Sequence, residues 1–289
     1  MNLRPSDWTA IIPAAGKGSR LEFALPKILY PILDKPMLLW LIHLLDPLCQ
    51  NFVFVVSPQG KLKIQEILSQ HISKKRVTLI LQESPRGTAD AVLKTRGHVH
   101  TPQCLVIWGD QIGILPQTIK RCMQAHIRHS HTTLTFPTLI KKDPYVHFIR
   151  DIHGKITGVQ QTRRQKLENT LQGENDFGLF LFNTQNLFNV LEQEQKKIYL
   201  EAQQEFDLLQ TIPTFERQKQ KVLTLRVGSE EETLGINSLA EAQKMERILK
   251  NRRNNRLFKK VQMLGARGAR LPAYLSGTSK ERRRGQRRR

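Results

Sequence analysis

The segment IIPAAGKGSRLEFALPK, Ile11–Lys27, joins an apolar run to a turn of small residues. It has the glycine spacing of neither a Walker A loop nor a dinucleotide fingerprint, since Leu21 stands where the third glycine of the fingerprint would be. What remains is a strand, a small-residue turn and three cations, Lys17, Arg20 and Lys27. Backbone N–H groups and cationic side chains both favour phosphate oxygens. We therefore expect this loop to hold a polyphosphate.

Short apolar runs alternate with longer helical patterns through the first half of the chain. The predicted strands are Trp8–Ala15, Asn51–Val56, Arg76–Leu81, Cys104–Trp108 and Thr132–Thr138. The predicted helices are Lys35–Leu45, Lys61–His71, Thr88–Thr95 and Pro116–His129. This alternation indicates right-handed crossovers, so we predict an α/β fold with a mainly parallel, doubly wound, Rossmann-like sheet. Ligands bind beyond the carboxyl ends of such strands, where Gly16, Gln82 and Asp110 stand.

The pattern becomes antiparallel after Pro144. A hairpin, a further strand and a long helix are predicted at Val146–Ile152 with Lys155–Gln160, at Phe177–Phe182 and at Asn237–Leu257. We interpret this part as an antiparallel, substrate-binding extension of one domain that covers residues 1–250.

Positive charge is concentrated at the end of the chain. The net charge is +21, of which residues 250–289 supply +14 through 15 Lys/Arg and the single acid Glu281. So charged and polar a segment cannot bury enough apolar surface to fold alone. We predict that residues 251–289 are a basic, disordered tail that contacts RNA weakly and without sequence selectivity.

The cysteine usage and the apolar stretches favour a cytoplasmic location. Cys49, Cys104 and Cys122 are odd in number and lack CxxC spacing, which favours reduced thiols over a disulfide framework or a zinc site. The first residues lack the apolar core of a signal peptide, and the most apolar stretch, Met37–Leu45, is too short to span a bilayer. We expect no membrane segment.

Three motifs at the start of the chain resemble one family of enzymes. Gly16–Arg20, Leu25–Lys27 and Lys35–Met37 match the Gly-x-Gly-Ser/Thr-Arg, Leu-Pro-Lys and Lys-Pro-Met motifs of sugar-1-phosphate nucleotidyltransferases. The chain is most similar to the uridylyltransferase domain of bacterial N-acetylglucosamine-1-phosphate uridylyltransferases. The resemblance implies Mg²⁺-dependent nucleotidyl transfer from an NTP, with UTP preferred, to a sugar 1-phosphate. It assigns catalysis to Arg20 and Lys27.

Further residues are assigned to the nucleotide and the metal by the same resemblance. The nucleotide-binding positions are Pro13, Ala14, Ala15, Gly16, Gln82, Gly87, Thr88 and Gly109. Gln82 would meet the pyrimidine edge, because its amide can both donate and accept. Asp110 and Asn237 would be the Mg²⁺ ligands, as hard oxygen donors suit that ion. The alternative for Thr88, Asp110 and Asn237 is that each caps a helix.

The acceptor half departs from the family pattern. Val146, Gln161 and Asp176 stand where the relatives have the glycine, glutamate and asparagine that hold the acetylamino sugar. We therefore expect these three residues to line the acceptor site and N-acetylglucosamine 1-phosphate to be a poor substrate.

Three alternative functions remain open. They are a non-catalytic nucleotide-sugar-binding protein, a cytidylyltransferase for another phosphorylated alcohol, and a nucleic-acid-binding protein that acts through its tail. We expect three histidines, His126, His129 and His131, to be solvated. We expect three phenylalanines, Phe180, Phe182 and Phe188, to lie in the core.

Overall fold

A mixed eight-stranded sheet forms the centre of the computed structural model, which describes residues 3–16, 18–162, 172–200 and 205–266. Seven strands follow one another in the order β10-β7-β11-β6-β1-β4-β5, and β12 also pairs with β7. The strands of this sheet are β1 (Trp8–Pro13), β4 (Asn51–Val56), β5 (Val77–Leu81), β6 (Gln103–Ile107), β7 (Thr132–Lys141), β10 (Gly173–Asp176), β11 (Leu179–Asn183) and β12 (Lys221–Arg226).

The half of the sheet built first along the chain is parallel. Strand β1 pairs in parallel with β4 on one side and β6 on the other, and β4 pairs in parallel with β5. The chain leaves β1 toward β4 and later returns to β6 on the opposite side, so a topological switch point lies between β1 and β6. In open α/β sheets, ligands bind at this point beyond the carboxyl ends of the strands.

Antiparallel pairing completes the sheet on the side of β6. Strand β11 runs antiparallel to β6 and β7, and β10 runs antiparallel to the end of β7, whereas β12 is parallel to β7. Two smaller pairs lie outside this sheet. They are the bridge of β2 (Pro31–Ile32) with β3 (Lys35–Pro36) and the antiparallel hairpin of β8 (Val146–Arg150) with β9 (Ile156–Gln161). The predicted α/β class with an antiparallel extension is confirmed.

Helices connect the strands and bury the sheet. They are α1 (Met37–Leu45), α2 (Lys61–His71), α3 (Thr88–Leu93), α4 (Pro116–Arg128), α5 (Thr184–Leu200), α6 (Leu208–Arg217) and α7 (Leu239–Ala266). Helix α4 packs on β7 and β11, while α6 packs on β9 and β12. Phe180, Phe182 and Phe188 lie together in the core, as predicted, and the centroid of the Phe180 ring lies 5.3 Å from that of Phe136. Burial of such rings dominates the stability of a core.

Several sequence predictions of local structure were wrong. Lys35 and Pro36 form a short strand rather than the first turn of α1, because the proline at the N-cap has extended backbone angles. His126 is buried rather than solvated, since its ring nitrogens contact the Thr135 hydroxyl at 2.8 Å and the Gln103 side-chain oxygen at 3.0 Å. Burial accordingly lowers the pKa of His126 to about 4.

Residues Met1–Met245 make up one compact unit, and Glu246–Arg289 make up a second. Helix α7 continues to Ala266, and the part of the predicted tail that follows it lies outside the described residues. Among the helices that the structure describes, none combines the length and the apolar composition needed to cross a membrane.

Candidate active site

Predicted nucleotide-binding residues meet at the switch point of the sheet. Strand β1 ends at Pro13 and β6 at Ile107, so Gly109 follows β6 closely. A side chain at Gly109 would place its Cβ only 3.3 Å from the Pro13 carbonyl oxygen. The two loops that follow β1 and β6 therefore touch, and Gly109 permits this close approach.

Three side chains from distant parts of the chain converge beside these loops. The Lys27 ammonium donates to the Asp110 carboxylate and, over 2.7 Å, to the side-chain oxygen of Asn237. The side chains of Lys27 and Asp110 are only 18% and 14% exposed, so this ion pair is partly shielded from water. Opposite charges attract more strongly in such surroundings than in bulk water. Two residues predicted as metal ligands and one predicted as catalytic thus form a single cluster.

The loop after β1 is shaped by glycine. Gly18 has φ +65°, a backbone conformation that favours glycine. A Cβ at Gly18 would lie 2.8 Å from Cβ of Lys27, so the absence of a side chain lets Lys27 pack against this loop. The Lys27 N–H donates to the Gly16 carbonyl over 3.4 Å, which closes the loop on itself. A Cβ added at Gly16 would meet nothing within 4 Å, so open space borders that residue. Arg20 is exposed, Ala14 is buried and Ala15 half-buried, and Lys17 lies outside the described residues.

Asn237 is not needed to cap the last helix. Immediately before α7, the Ser238 hydroxyl accepts a hydrogen bond from the Glu241 N–H, and the Glu241 carboxylate accepts from Ser238 and from the Asn237 backbone N–H. This reciprocal pattern resembles a capping box, except that Glu241 accepts from the N–H of Asn237 and not from that of the N-cap Ser238. The side chain of Asn237 is consequently available to the cluster with Lys27 and Asp110.

A cation could bind the oxygens that now hold the Lys27 ammonium. Asp110 and Asn237 already direct one carboxylate oxygen and one amide oxygen at the same positive group. A Cβ at Gly235 would lie 3.5 Å from both Asp110 Oδ2 and Asn237 Nδ2, so the missing side chain keeps space beside the pair. Hard oxygen donors with room for further ligands fit Mg²⁺, which retains several waters or phosphate oxygens. No cluster of three His, Cys, Asp or Glu side chains occurs among the described residues.

Gln111 is a polar neighbour of this cluster that the sequence did not reveal. Its side chain is buried, and its Oε1 has no hydrogen-bond partner among the described residues. Gly178 and Gly235 make room for it. A Cβ at Gly178 would lie 2.6 Å from Gln111 Cγ, and a Cβ at Gly235 would lie 3.0 Å from Gln111 Nε2. The pattern Asp-Gln-Ile-Gly gave no signal that a glutamine after Asp110 would turn inward.

Gln82 is held in one orientation by its neighbours. Its Nε2 donates to the Asp90 carboxylate over 2.8 Å and to the Gly87 carbonyl over 3.2 Å. Because both contacts use the nitrogen, the atom left for a ligand is the carbonyl oxygen, which can only accept. Gly87 has φ +113°, and a Cβ there would strike the Phe206 carbonyl oxygen at 2.1 Å. The loop before α3 therefore requires glycine at this position.

Thr88 connects α3 to the start of α6 rather than capping its own helix. Its hydroxyl donates to the Asp207 carboxylate over 2.8 Å and accepts from the Leu208 N–H over 2.9 Å. Asp207 is buried and also accepts from the Leu209 N–H, which makes it the N-cap of α6. An Asp before the apolar run of α6 is a known start signal for a helix, so its capping role could have been found from the sequence.

The three residues predicted for the acceptor are buried near these elements. Val146 begins β8, and its N–H donates to the Asn175 side chain over 3.2 Å. Gln161 ends β9, and its Nε2 donates to Asp207 over 2.9 Å. Asp176 ends β10, where burial, aided by the charges of Asp207 and Asp110, raises the pKa of its carboxyl to about 6.

The three cysteines take no part in this cluster. Cys49, Cys104 and Cys122 are free and buried. Burial raises the pKa of the Cys104 and Cys122 thiols to about 12, and that of Cys49 also rises. A thiol held in its neutral form is a poor nucleophile, so the geometry assigns these residues to packing.

A comparison with known protein families matches the part of the chain that holds most of these site residues. The family model described as "MobA-like NTP transferase domain" matches residues 10–174, which contain the end of β1, the glycine loop, Gln82 and Asp110. Asn237 and Asp207 lie beyond the matched range.

Curated relatives extend the similarity along most of the chain. A protein named "Bifunctional protein GlmU" from Desulfitobacterium hafniense strain Y51 is 28% identical over 251 residues, covering 85% of this chain and 52% of the relative. The protein of that name from Carboxydothermus hydrogenoformans is 27% identical over 250 residues, covering 86% and 54%. That from Listeria monocytogenes serotype 4a is 29% identical over 255 residues, covering 85% and 54%. The chain thus spans about half the length of the curated relatives it matches.

Proposed function

The chain belongs to the MobA-like NTP transferase domain family, and from this premise we propose that it is a nucleotidyltransferase that forms a nucleotide sugar. It transfers a nucleotidyl group from an NTP to a sugar 1-phosphate and releases pyrophosphate. The observation that carries the proposal is the meeting of Lys27, Asp110 and Asn237 at the switch point of the sheet. This cluster combines a cation for phosphates with two oxygens for a metal ion.

The reaction needs positioning and charge neutralisation more than an activated nucleophile. A phosphate oxygen of the sugar 1-phosphate attacks the α-phosphorus of the NTP, and the bond from that phosphorus to the β-phosphate bridge breaks as pyrophosphate leaves. The attacking oxygen is already anionic, so no general base is required. Arg20 and Lys27 neutralise the negative charge on the α-phosphate and on the leaving group. This charge is largest in the transition state.

We infer that Mg²⁺ is the resident cofactor and that Asp110 and Asn237 hold it. When bound, it supplies electrostatic stabilisation and orientation of the phosphates. The two protein oxygens fit this ion by their chemistry and leave most of its coordination places for phosphate and water. Lys27 and the metal ion would compete for these oxygens, so with the metal bound the Lys27 ammonium would be available to the phosphates.

The preference for UTP rests on Gln82. Because its Nε2 is committed to Asp90 and Gly87, the side chain presents a hydrogen-bond acceptor to the base. The N3–H of uracil is a donor that matches it. A cytosine amino group is also a donor, which keeps a cytidylyltransferase as the alternative among enzymes.

The acceptor differs from N-acetylglucosamine 1-phosphate in this proposal. Val146 fills a place where the relatives have glycine, and the side chains of Gln161 and Asp176 both offer hydrogen-bond acceptors. Such a site favours an acceptor with hydroxyl donors, and the buried carboxyl of Asp176 disfavours one with a second phosphate.

Pyrophosphate release tests the proposal. The protein is incubated with each of UTP, CTP, GTP and dTTP against a panel of sugar 1-phosphates in Mg²⁺, and melting curves record binding of nucleotides and nucleotide sugars. We expect release that depends on both substrates, fastest with UTP. Stabilisation by a nucleotide sugar without any release would contradict catalysis and favour the non-catalytic binding protein, and fastest release with CTP would contradict the UTP preference.

A further inference from the structure

Strand β5 forms an open edge of the central sheet. It pairs with β4 and with no other strand that the structure describes. All five residues of its mostly apolar sequence, VTLIL, remain half-buried. Such an edge presents unpaired N–H and C=O groups to which a further strand can bond.

The direction of the backbone groups on β5 follows from one hydrogen bond. The Gln82 N–H donates to the Val56 carbonyl of β4 over 2.9 Å. Because the N–H groups of successive strand residues point to opposite sides, that of Ile80 also turns toward β4, and those of Leu79 and Leu81 turn away. The N–H groups of Leu79 and Leu81 therefore face the open edge.

A cavity of about 330 Å³ lies between this strand and helix α2. Its apolar wall consists of Leu68, Ile72, Val77 and Leu79. Leu68 is buried, but the other three are half-buried, so apolar surface remains for a ligand to cover. Side chains alternate between the two faces of a strand, so a strand added to β5 would place every second side chain over this cavity.

Two lysines border the same cavity. Lys61 begins α2, and Lys74 lies in the turn before β5. Neither forms an ion pair with a described residue, whereas the neighbouring Lys63 pairs with Glu66 over 2.9 Å. The positive charges of Lys61 and Lys74 are thus available to a ligand.

Charge decides which chain can occupy this edge. A second copy of the protein would bring the same two lysines with its own β5, and like charges facing each other disfavour pairing. The very basic residues 250–289 are repelled in the same way. An extended segment with acidic residues is attracted instead.

We propose that α2 and β5 form a docking groove for an extended acidic segment of a partner protein. The segment bonds to Leu79 and Leu81 as an added strand, covers the apolar wall with alternate side chains, and places carboxylates beside Lys61 and Lys74. Main-chain hydrogen bonds supply affinity in this mode of recognition, and side chains supply selectivity. The groove is independent of the proposed nucleotidyl transfer, so each can be tested without the other.

Binding of a synthetic peptide to the full chain tests the groove. The probe is a fluorescent seven-residue peptide of alternating Glu and Val, and a second peptide replaces every Val by Gly. We expect the Val peptide to bind at least about tenfold more tightly than the Gly peptide when both are followed by fluorescence anisotropy. Because the two peptides carry the same charge, attraction to the basic end of the chain contributes equally to both.

A charge reversal at the groove supplies the second comparison. Lys61→Glu combined with Lys74→Glu should weaken binding of the Val peptide by about tenfold or more. An acid at the start of α2 suits the helix dipole, so the melting curve should not fall. Lys120→Glu combined with Arg121→Glu, at exposed positions of α4, makes the same change in net charge and should alter the affinity by less than about twofold. Equal affinities of the groove variant and this control would overturn the proposal.

Hydrogen exchange in β5 distinguishes an added strand from attraction by charge alone. With the Val peptide bound, exchange of the Leu79 and Leu81 N–H groups should slow by about tenfold or more, whereas that of Ile80, already bonded to β4, should change little. Failure of the Val peptide to bind, or binding that leaves the exchange of Leu79 and Leu81 unchanged, would overturn the proposal. Neither measurement uses pyrophosphate release, so the outcome is separate from that of the proposed function.

Discussion

Lys27 is the residue on which the proposed chemistry depends most visibly. Its ammonium bridges Asp110 and Asn237, the two oxygens proposed for a metal ion. This ammonium would have to leave the two oxygens for a divalent ion to bind them, because two cations at the same oxygens repel each other strongly.

The first prediction concerns this competition. Lys27→Met removes the competing cation, so Mn²⁺ used as a spectroscopic probe should bind the nucleotide-free protein more tightly, by about tenfold, while turnover falls. Titration of free Mn²⁺ by electron paramagnetic resonance measures the affinity. Lys63→Met removes the same charge from a surface pair with Glu66 and should leave the affinity unchanged. An unaltered or weaker affinity in Lys27→Met would contradict the shared position.

The second prediction concerns the buried carboxyl of Asp176. Burial raises its pKa from 3.8 to about 6, so the native state favours the protonated form, and stability is lost as the pH rises through 6. Asp176→Asn removes this cost and keeps an oxygen for the Gly178 N–H. We expect it to stabilise the protein at pH 8 by up to about 3 kcal/mol and to have little effect near pH 4.

Urea unfolding of both proteins in EDTA across this pH range measures the difference between them. Every other residue is the same in the two proteins, so the pH dependence of the difference reports the change at residue 176. A stability difference that stays constant from pH 4 to pH 8 would contradict the raised pKa.

At the scale of elements, the loop before α3 depends on a glycine conformation. Gly87→Ala would place Cβ 2.1 Å from the Phe206 carbonyl oxygen at φ +113°, and we expect a loss of about 2 kcal/mol or more in the free energy of unfolding. Gly97→Ala is the control, because a Cβ there meets nothing within 4 Å. Urea unfolding measures the stability of both variants. Equal stability would show that the loop does not need glycine at residue 87.

The sequence predicted the elements whose apolar pattern is regular. Asn51–Val56 and Lys61–His71 were predicted with their observed bounds, because each has a clear periodicity and turn residues at its ends. Strand β10 escaped prediction since its four residues, Gly-Glu-Asn-Asp, are polar or glycine and yet buried. Tertiary partners rather than local pattern create that strand, as when Arg150 pairs with Glu174.

The candidate site was predictable in part for the same reason. Asp110 follows a regular buried strand, so its place at the switch point could be read from the sequence. Asn237 was assigned only through the family resemblance, because its approach to Lys27 spans most of the chain. Asp207 and Gln111 were missed as site neighbours, since their roles depend on packing between elements that no local pattern encodes.

At the scale of the whole molecule, the charge is divided between an ordinary domain and a very basic end. Residues 250–289 carry +14 of the net +21. We expect a truncation after Lys250 to keep turnover and to abolish a weak, salt-sensitive affinity for RNA. Filter binding at several salt concentrations, together with pyrophosphate release, checks both parts. Loss of turnover on truncation, or RNA binding that is insensitive to salt, would contradict this division.

The central claim is that the cluster of Lys27, Asp110 and Asn237 carries out metal-dependent nucleotidyl transfer. The most direct measurement is pyrophosphate release by the unaltered protein and by Asp110→Asn across a Mg²⁺ titration that starts in EDTA. We predict no release in EDTA, release that rises with Mg²⁺, and a rate for Asp110→Asn lower by about a hundredfold or more with an unchanged melting curve. Near-normal release by Asp110→Asn, or full release in EDTA, would contradict the claim.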